Sequence, residues 1–386
     1  MATSSAGADP LASGRVDREG KTSYAVFISC LSTSWETANS FKGRAIDVRK
    51  PVRRRQDLTS DPTARPTSET AFQMAPRPTG MRPELSVVIP SVNSYEDLNG
   101  CLRALQTAQD AALEIIVVDR LDEHVRHRLR CEHPGVTVLA VPGDTSIPQM
   151  RAMGIRRADS PATAMIEDHV IVPEGWARAM LDALTAEGGL DGVGTGAGAV
   201  GGPVDNAATQ SRVDWAAFLC EYSSTLPPLP PGRTEWLPGN NVIYPTAILR
   251  RHDAVLNHNR WEGALHDAIR DGGNALVMRP EIVVGHKMHY TMGLYTSQRY
   301  LYSRSYAGAR GAGMPLVKRL AAGAAALVVL PPLMFVRTIV RVRGKTPYDA
   351  HLAPSLPMLV PFCISWGVGE AVGFWFGPGN ALNKVR

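Results

Sequence analysis

Up to about residue 82 no regular spacing of apolar positions persists, and Ser, Thr, Pro, Ala and Arg dominate, the pattern of a tail without a core. Its one apolar run, Tyr24 to Leu31, is about half the length of a membrane helix and lacks a small-residue cleavage site. The pattern changes at Leu85. Leu85-Ser-Val-Val-Ile-Pro90 is continuously apolar, which predicts a strand buried on both faces, and Pro90 ends it because proline donates no ladder hydrogen bond. Leu98, Cys101, Leu102 and Leu105 then recur at helical spacing, predicting a helix over about 95–108. Further strands are predicted at Glu114–Asp119, Val136–Val141 and Ala162–Asp168, with a helix over about Ile147–Arg157 between the last two. Such alternation predicts an α/β fold with an open, mostly parallel sheet flanked by helices. Ligands of these sheets sit beyond the carboxyl ends of the strands. Those ends are polar here: Ser91-Val-Asn93, Asp119, and Glu167-Asp168-His169.

A different pattern begins after residue 313. Leu320 to Val336 is uncharged for 17 residues, and Leu352 to Gly377 is apolar over 26 residues except at Glu370. Either is long enough to cross a bilayer, yet Pro331-Pro332 interrupts the first. Two spans would also leave Arg337, Arg341 and Arg343 outside, against the positive-inside tendency. Helices lying in the interface, or a re-entrant pair, avoid that conflict; a buried hairpin is the soluble alternative. The expected organisation is a tail over 1–82, a catalytic domain over 83–313 and a membrane-associated helical region over 314–386.

Of the 386 residues, 44% are apolar and 20% charged, ordinary for a chain with a real core. The net charge of +5 is unevenly spread. Residues 1–82 carry 13 basic against 8 acidic groups and residues 314–386 carry 8 against 2, whereas 83–313 carry 20 against 26. The folded middle is therefore acidic, which argues against nucleic acid as a partner. Five cysteines without a CxxC pair exclude a disulfide scaffold and a thiolate zinc site. The stretch Gly192 to Gly202 fits neither a phosphate-binding lysine loop nor a dinucleotide fingerprint, and predicts flexible backbone.

In order, the polar landmarks are Pro90 and Asn93, Val117-Val118-Asp119, Arg151 to Gly154, Glu167-Asp168-His169 followed by Pro173 and Trp176, Gly239-Asn240-Asn241, Trp261-Glu262, and Pro280 to His286. Over about 83–310 this series resembles glycosyltransferase family 2, whose fold is GT-A. The resemblance implies a nucleotide-sugar-dependent, inverting transfer of a hexosyl-type sugar to a hydroxyl of a lipid-linked or saccharide acceptor. A UDP-sugar is the expected donor, and the cytoplasmic side of the cell membrane, with a part in envelope polysaccharide synthesis, the expected setting. Donor contacts are implied for Pro90, Asn93, Asp119, Arg151, Asp168, Gly239 and Asn240, with Asp119 meeting the base and Arg151 a phosphate. Glu167 and His169 take the two positions of the family's Asp-x-Asp pair, and His286 completes a metal or diphosphate site, with His289 close by in sequence.

These assignments make chemical sense. A departing diphosphate gathers negative charge that a divalent cation stabilises, so Mn²⁺ or Mg²⁺ is the expected cofactor; the imidazole of His169 favours Mn²⁺. An attacking hydroxyl must lose its proton, and one placed carboxylate suffices. Glu262, opening a helix, matches the family's base position, and Asp267 is the weaker alternative. Two competing readings are a nucleotidyltransferase and an inactive sugar-nucleotide-binding or scaffold protein. The first wants a Gly-rich, basic loop after the first strand, where Ser91-Val-Asn-Ser94 is neither; the altered Glu-Asp-His triplet speaks for the second.

Overall fold

The computed structural model describes residues 82–107, 110–190, 196–258 and 260–386. The expected tail lies outside these but for its last residue, as do residues 192–195 of the glycine-rich stretch. Strand β1 (Leu85–Ser91) is buried at every position and lies between β2 (Leu113–Asp119) and β4 (Ala162–Met165), parallel to both. β3 (Thr137–Ala140) extends the parallel edge beside β2. On the other side the order continues β4-β9-β6-β10-β8, with β9 (Val242–Pro245) antiparallel to both β4 and β6 (Ala197–Gly201). β10 (Ala275–Met278) returns parallel to β6, and β8 (Gly232–Thr234) closes the edge antiparallel.

Both faces carry helices because both faces are apolar. Helix α1 (Tyr95–Thr107) packs Leu98, Leu102 and Leu105 into the same core as Leu85, Val87 and Ile89. Helix α2 (Glu123–Glu132) follows β2 and is opened by Asp122, whose side chain accepts from Val125 N–H. Helix α3 (Ile147–Arg157) lies on the opposite face, with Ile147 and Met150 against Ile116 and Val118. Ser146 and Gln149 form a capping box at its start. It sits tight on the sheet: a Cβ at Gly154 would lie 2.4 Å from a methyl of Val88. Helix α4 is Trp176–Ala186.

The glycine-rich stretch differs from expectation where it is described. Residues 197–201 are β6, an interior strand of the sheet between β9 and β10, not loose backbone. Its glycines answer to space: a Cβ at Gly198 would meet Ile269 at 2.4 Å, and one at Gly202 would meet the Ile282 carbonyl at 1.8 Å.

A second, three-stranded sheet runs β5 (Val170–Ile171), β11 (Val284–His286), β7 (Val204–Asn206). Helix α5 (Arg212–Tyr222) follows it; two short helices, α6 (Thr246–Arg251) and α7 (Asp253–Leu256), then lead to α8 (Glu262–Asp271). Beyond β11 the chain is helical. α9 (Met292–Gly311) leads into α10 (Leu316–Val328) and α11 (Leu330–Val342), which meet at a 50° bend. Pro331-Pro332 fall in the first turn of α11, where missing N–H groups cost nothing. The apolar run over 320–336 is thus two helices. Helix α12 (Leu352–Phe376) is continuous through Pro357 and Pro361. A Cβ at Gly369 or Gly373 would lie 2.0–3.1 Å from α9 atoms, so small residues let α9 and α12 touch. Glu370 faces this seam and not the outside: it pairs with Arg310 at 2.6 Å and accepts from Trp366 Nε1 at 2.9 Å.

The segment from Tyr348 to Phe376 is long and apolar enough to cross a membrane, and the bent α10–α11 pair passes the same test together. Leu316, Val317, Val328 and Val340 are each at least 66% exposed on that pair.

Candidate functional site

β4 stops at Met165, so Glu167-Asp168-His169 forms a turn between β4 and β5. Asp168 is the hub of that turn. Its buried carboxylate accepts from the backbone N–H groups of Val92 at 2.7 Å and Asn93 at 2.9 Å, and from Asn93 Nδ2 at 2.8 Å. It also takes the Nδ1 proton of His169 at 3.0 Å. The loop after β1 is thereby tied to the end of β4.

Sheet register brings in the second histidine. β11 pairs antiparallel with β5, setting His286 opposite Val170, and Lys287 N–H donates to the His169 carbonyl at 3.0 Å. The two Nε2 atoms face each other at 2.8 Å. Glu167 Oε2 lies 3.4 Å from His169 Nε2, and one ligand atom from each of Glu167, His169 and His286 falls within 4.8 Å of the others. Two nitrogen lone pairs cannot meet at 2.8 Å without a proton or a cation between them. Burial opposes charging His169, but its hydrogen bonds to Asp168 and Glu167 prevail and hold its pKa up to about 10. Burial, and then the charge on His169, push His286 down to about 3. Burial works against ionised Glu167 too, yet His169 and Arg151 bring it down to about 2. The residues fit a divalent cation: two imidazoles and a carboxylate converge, and Asp168 fixes the His169 tautomer that leaves Nε2 toward the centre.

Arg151, on α3 one turn before Gly154, bridges two acidic groups. Nη1 donates to Glu262 Oε2 at 2.8 Å and Nη2 to Glu167 Oε1 at 3.2 Å. This differs from the expected phosphate contact, because carboxylates already occupy both ends of the guanidinium. Glu262 opens α8 as expected, but it is held on Arg151 beneath Gly239, where a Cβ would lie 2.5 Å from its Cδ. It does not line the cavity beside the cation ligands. Asp267 pairs instead with Arg270 on its own helix.

The remaining expected residues surround this centre. Asn240 Nδ2 donates to Glu167 at 3.1 Å and to the Tyr222 hydroxyl at 2.8 Å. Asn241 donates to the carbonyls of Pro203 and Ile282 and accepts from Trp176, so the Gly-Asn-Asn stretch braces the site from behind. Asp119 is fully buried; burial raises its pKa, opposed by hydrogen bonds from Ser91 at 2.9 Å and Arg126 at 3.0 Å. It lies outside the cavity lining. Pro90, Val92, Glu167, His169 and His286 line the cavity. His289 is not part of it and pairs with Asp214.

Other lining residues were not expected. They include Glu221 at the end of α5, with Tyr290, Gln298, Arg299 and Tyr302 on and before α9. Arg299 lies over the Trp366 ring at 3.9 Å, so α12 fixes it. Burial pushes the Glu221 carboxyl up to about 7, against the attraction of Arg299 and with the repulsion of Glu167. Glu221 closes an apolar run, Ala216-Ala-Phe-Leu-Cys220, and a lone carboxylate there was the signal available in the sequence. Arg386 sits at the rim, where Arg120 holds the carbonyls of Asn383 and Val385.

The description "Glycosyl transferase family 2" matches residues 86–255. This segment is a family 2 glycosyltransferase domain. The mostly parallel sheet with helices on both faces is accordingly GT-A-like, and such a transferase draws its sugar from a nucleotide-sugar donor. Glu262 and His286 lie beyond the matched residues. Among solved structures, the chain is similar to mannosyltransferase PcManGT from Pyrobaculum calidifontis in complex with GDP-Man and Mn²⁺, at 16% identity and TM-score 0.44, over 80% of this chain and 91% of that one. It is also similar to residues 1–349 of TarS from S. aureus, at 12% identity and TM-score 0.38, over 75% and 90%. The same TarS fragment with UDP gives 10% identity and TM-score 0.40 over the same shares. Comparison with curated proteins found no match.

Proposed function

We propose that the domain transfers a sugar, with inversion, from a nucleotide-sugar donor to a hydroxyl of a lipid-linked or saccharide acceptor at a membrane surface. The observation that carries this is the convergence of Glu167, His169 and His286 at the carboxyl edge of β4, tied by Asp168 to the loop after β1. A divalent cation held by those three residues, Mn²⁺ by the preference of imidazole, supplies positive charge for the departing diphosphate. Pro90 lines the donor side of the cavity, Asn93 holds the loop after β1 on Asp168, and Asp119 supports that loop through Ser91. Arg151 orients Glu167 and is itself held by Glu262. Glu262 is thus a positioning residue in this reading, not the base its sequence position suggested. Inversion is the outcome of a single displacement, in which the acceptor oxygen attacks the anomeric carbon directly.

The acceptor side is formed by α9, which α12 backs. We place residues 314–386 on the cytoplasmic membrane face, the exposed apolar side of α10 and α11 meeting lipid. Titration of the protein with UDP-glucose and GDP-mannose, in Mn²⁺ and in EDTA, tests the core of the reading. Cation-dependent binding of one of them is expected; binding of neither, or binding indifferent to EDTA, overturns it.

A further inference from the structure

The carboxylates around the site can be sorted by what already engages them. Glu167 belongs to the cation cluster. Asp168 accepts four hydrogen bonds. Glu262 is held by Arg151 at 2.8 Å and Asp119 by Arg126 and Ser91. Glu221 is different: it lines the cavity, stands outside the cation cluster, and receives no hydrogen bond among the described residues. An unpartnered carboxylate in a half-buried wall costs stability, and such groups gather where chemistry needs them. The charge of Arg299, fixed on the Trp366 ring, attracts this carboxylate against the burial that disfavours its anion.

We propose that Glu221 is the catalytic base of the transfer. The acceptor oxygen bonds to the anomeric carbon while that carbon's bond to the diphosphate oxygen breaks. The bonding pair leaves with the diphosphate, and the hydroxyl proton passes to the Glu221 carboxylate. Water entering the same cavity is deprotonated the same way, so donor hydrolysis reports the step without a known acceptor. The assignment rests on the sugar-transfer reading above.

The test uses the full chain with Mn²⁺ and whichever of UDP-glucose and GDP-mannose it binds. Hydrolysis rate, donor affinity and melting temperature are compared for wild type, Glu221→Gln, Glu221→Asp and Glu262→Gln. Loss of a general base lowers turnover by about 10²–10⁴-fold; Glu221→Gln should show this at unchanged donor affinity. Glu221→Asp, which keeps a proton acceptor set back by one methylene, should fall between it and wild type. Glu262→Gln should instead raise the Mn²⁺ requirement. A Glu221→Gln variant as fast as wild type sinks the assignment, as does a turnover loss at constant donor affinity that belongs to Glu262→Gln alone. A wild type that holds donor yet never hydrolyses it also contradicts the assignment. A wild type that binds neither nucleotide sugar removes the underlying reading as well.

Discussion

Asp168 shows how much a single residue organises here. One carboxylate takes two backbone N–H groups, an amide and an imidazole proton, and so sets the loop after β1 and the tautomer of His169 together. Substitution by Asn keeps the shape but gives the site an NH₂ that must face one of these donors. Loss of such an outer partner costs about 10–100-fold in metal affinity, and an unsatisfied buried group costs about 1–3 kcal/mol. Asp168→Asn should therefore raise the Mn²⁺ concentration that half-stabilises the protein at least tenfold and lower its urea midpoint. Unchanged values for both would show that Asp168 does not support the cluster. At this scale the sequence was legible for the convergent groups, because Glu167 and His169 sit where a strand ends and His286 ends another. It did not distinguish a carboxylate aimed at a ligand from one buried in hydrogen bonds; Asp168, Arg151 and Glu262 differ in their partners, which pattern does not encode.

At the scale of elements, the cluster depends on β11 lying beside β5, and that placement depends on a close backbone approach. Asn241 donates to the Ile282 carbonyl at 2.7 Å, and Gly202 passes so near that its Cβ would lie 1.8 Å away. Overpacking of this kind costs about 1–3 kcal/mol. Gly202→Ala should thus displace the start of β11, lower stability and weaken Mn²⁺ binding through His286. Gly135→Ala, with nothing within 4 Å of the added carbon, should do neither. Equal behaviour of the two variants in thermal melts with and without Mn²⁺ would contradict this account. The elements with continuous apolar runs or clean helical spacing, namely β1, β2, α1, α3 and α8, were legible in the sequence. Helix α2 was not, because Leu129 alone of its residues is buried and no apolar stripe marks it. Helix α5 was hidden for the opposite reason: it is covered by the core on one side and by α9 and α12 on another, so its apolar residues show no single face. That concealment also hid Glu221.

For the whole molecule, the helices after residue 313 are not appended to the sheet domain at a distance. Phe362 of α12 packs on Tyr295 of α9 with ring centroids 4.5 Å apart, and both share a core with Ala216 and Cys220 of α5. The helices proposed to meet lipid and the wall proposed to receive the acceptor are therefore mechanically joined. Val317 is 77% exposed, Val328 71% and Val340 69%, and burying each such side chain is worth about 1.5 kcal/mol or more. The full chain should float with phosphatidylcholine–phosphatidylglycerol vesicles. Replacing Val317, Val328, Val336 and Val340 together by Ser should cut the bound fraction at least tenfold without changing the melting temperature much. A chain that stays with the soluble fraction in both forms would place lipid elsewhere.

The most direct measurement remains calorimetric titration of UDP-glucose and GDP-mannose into the protein with saturating Mn²⁺, repeated in EDTA and on His286→Ala. One donor should bind wild type in Mn²⁺ and lose at least tenfold in affinity both in EDTA and in the variant. Equal binding under all three conditions, or none under any, would contradict a cation-assisted nucleotide-sugar site built on Glu167, His169 and His286.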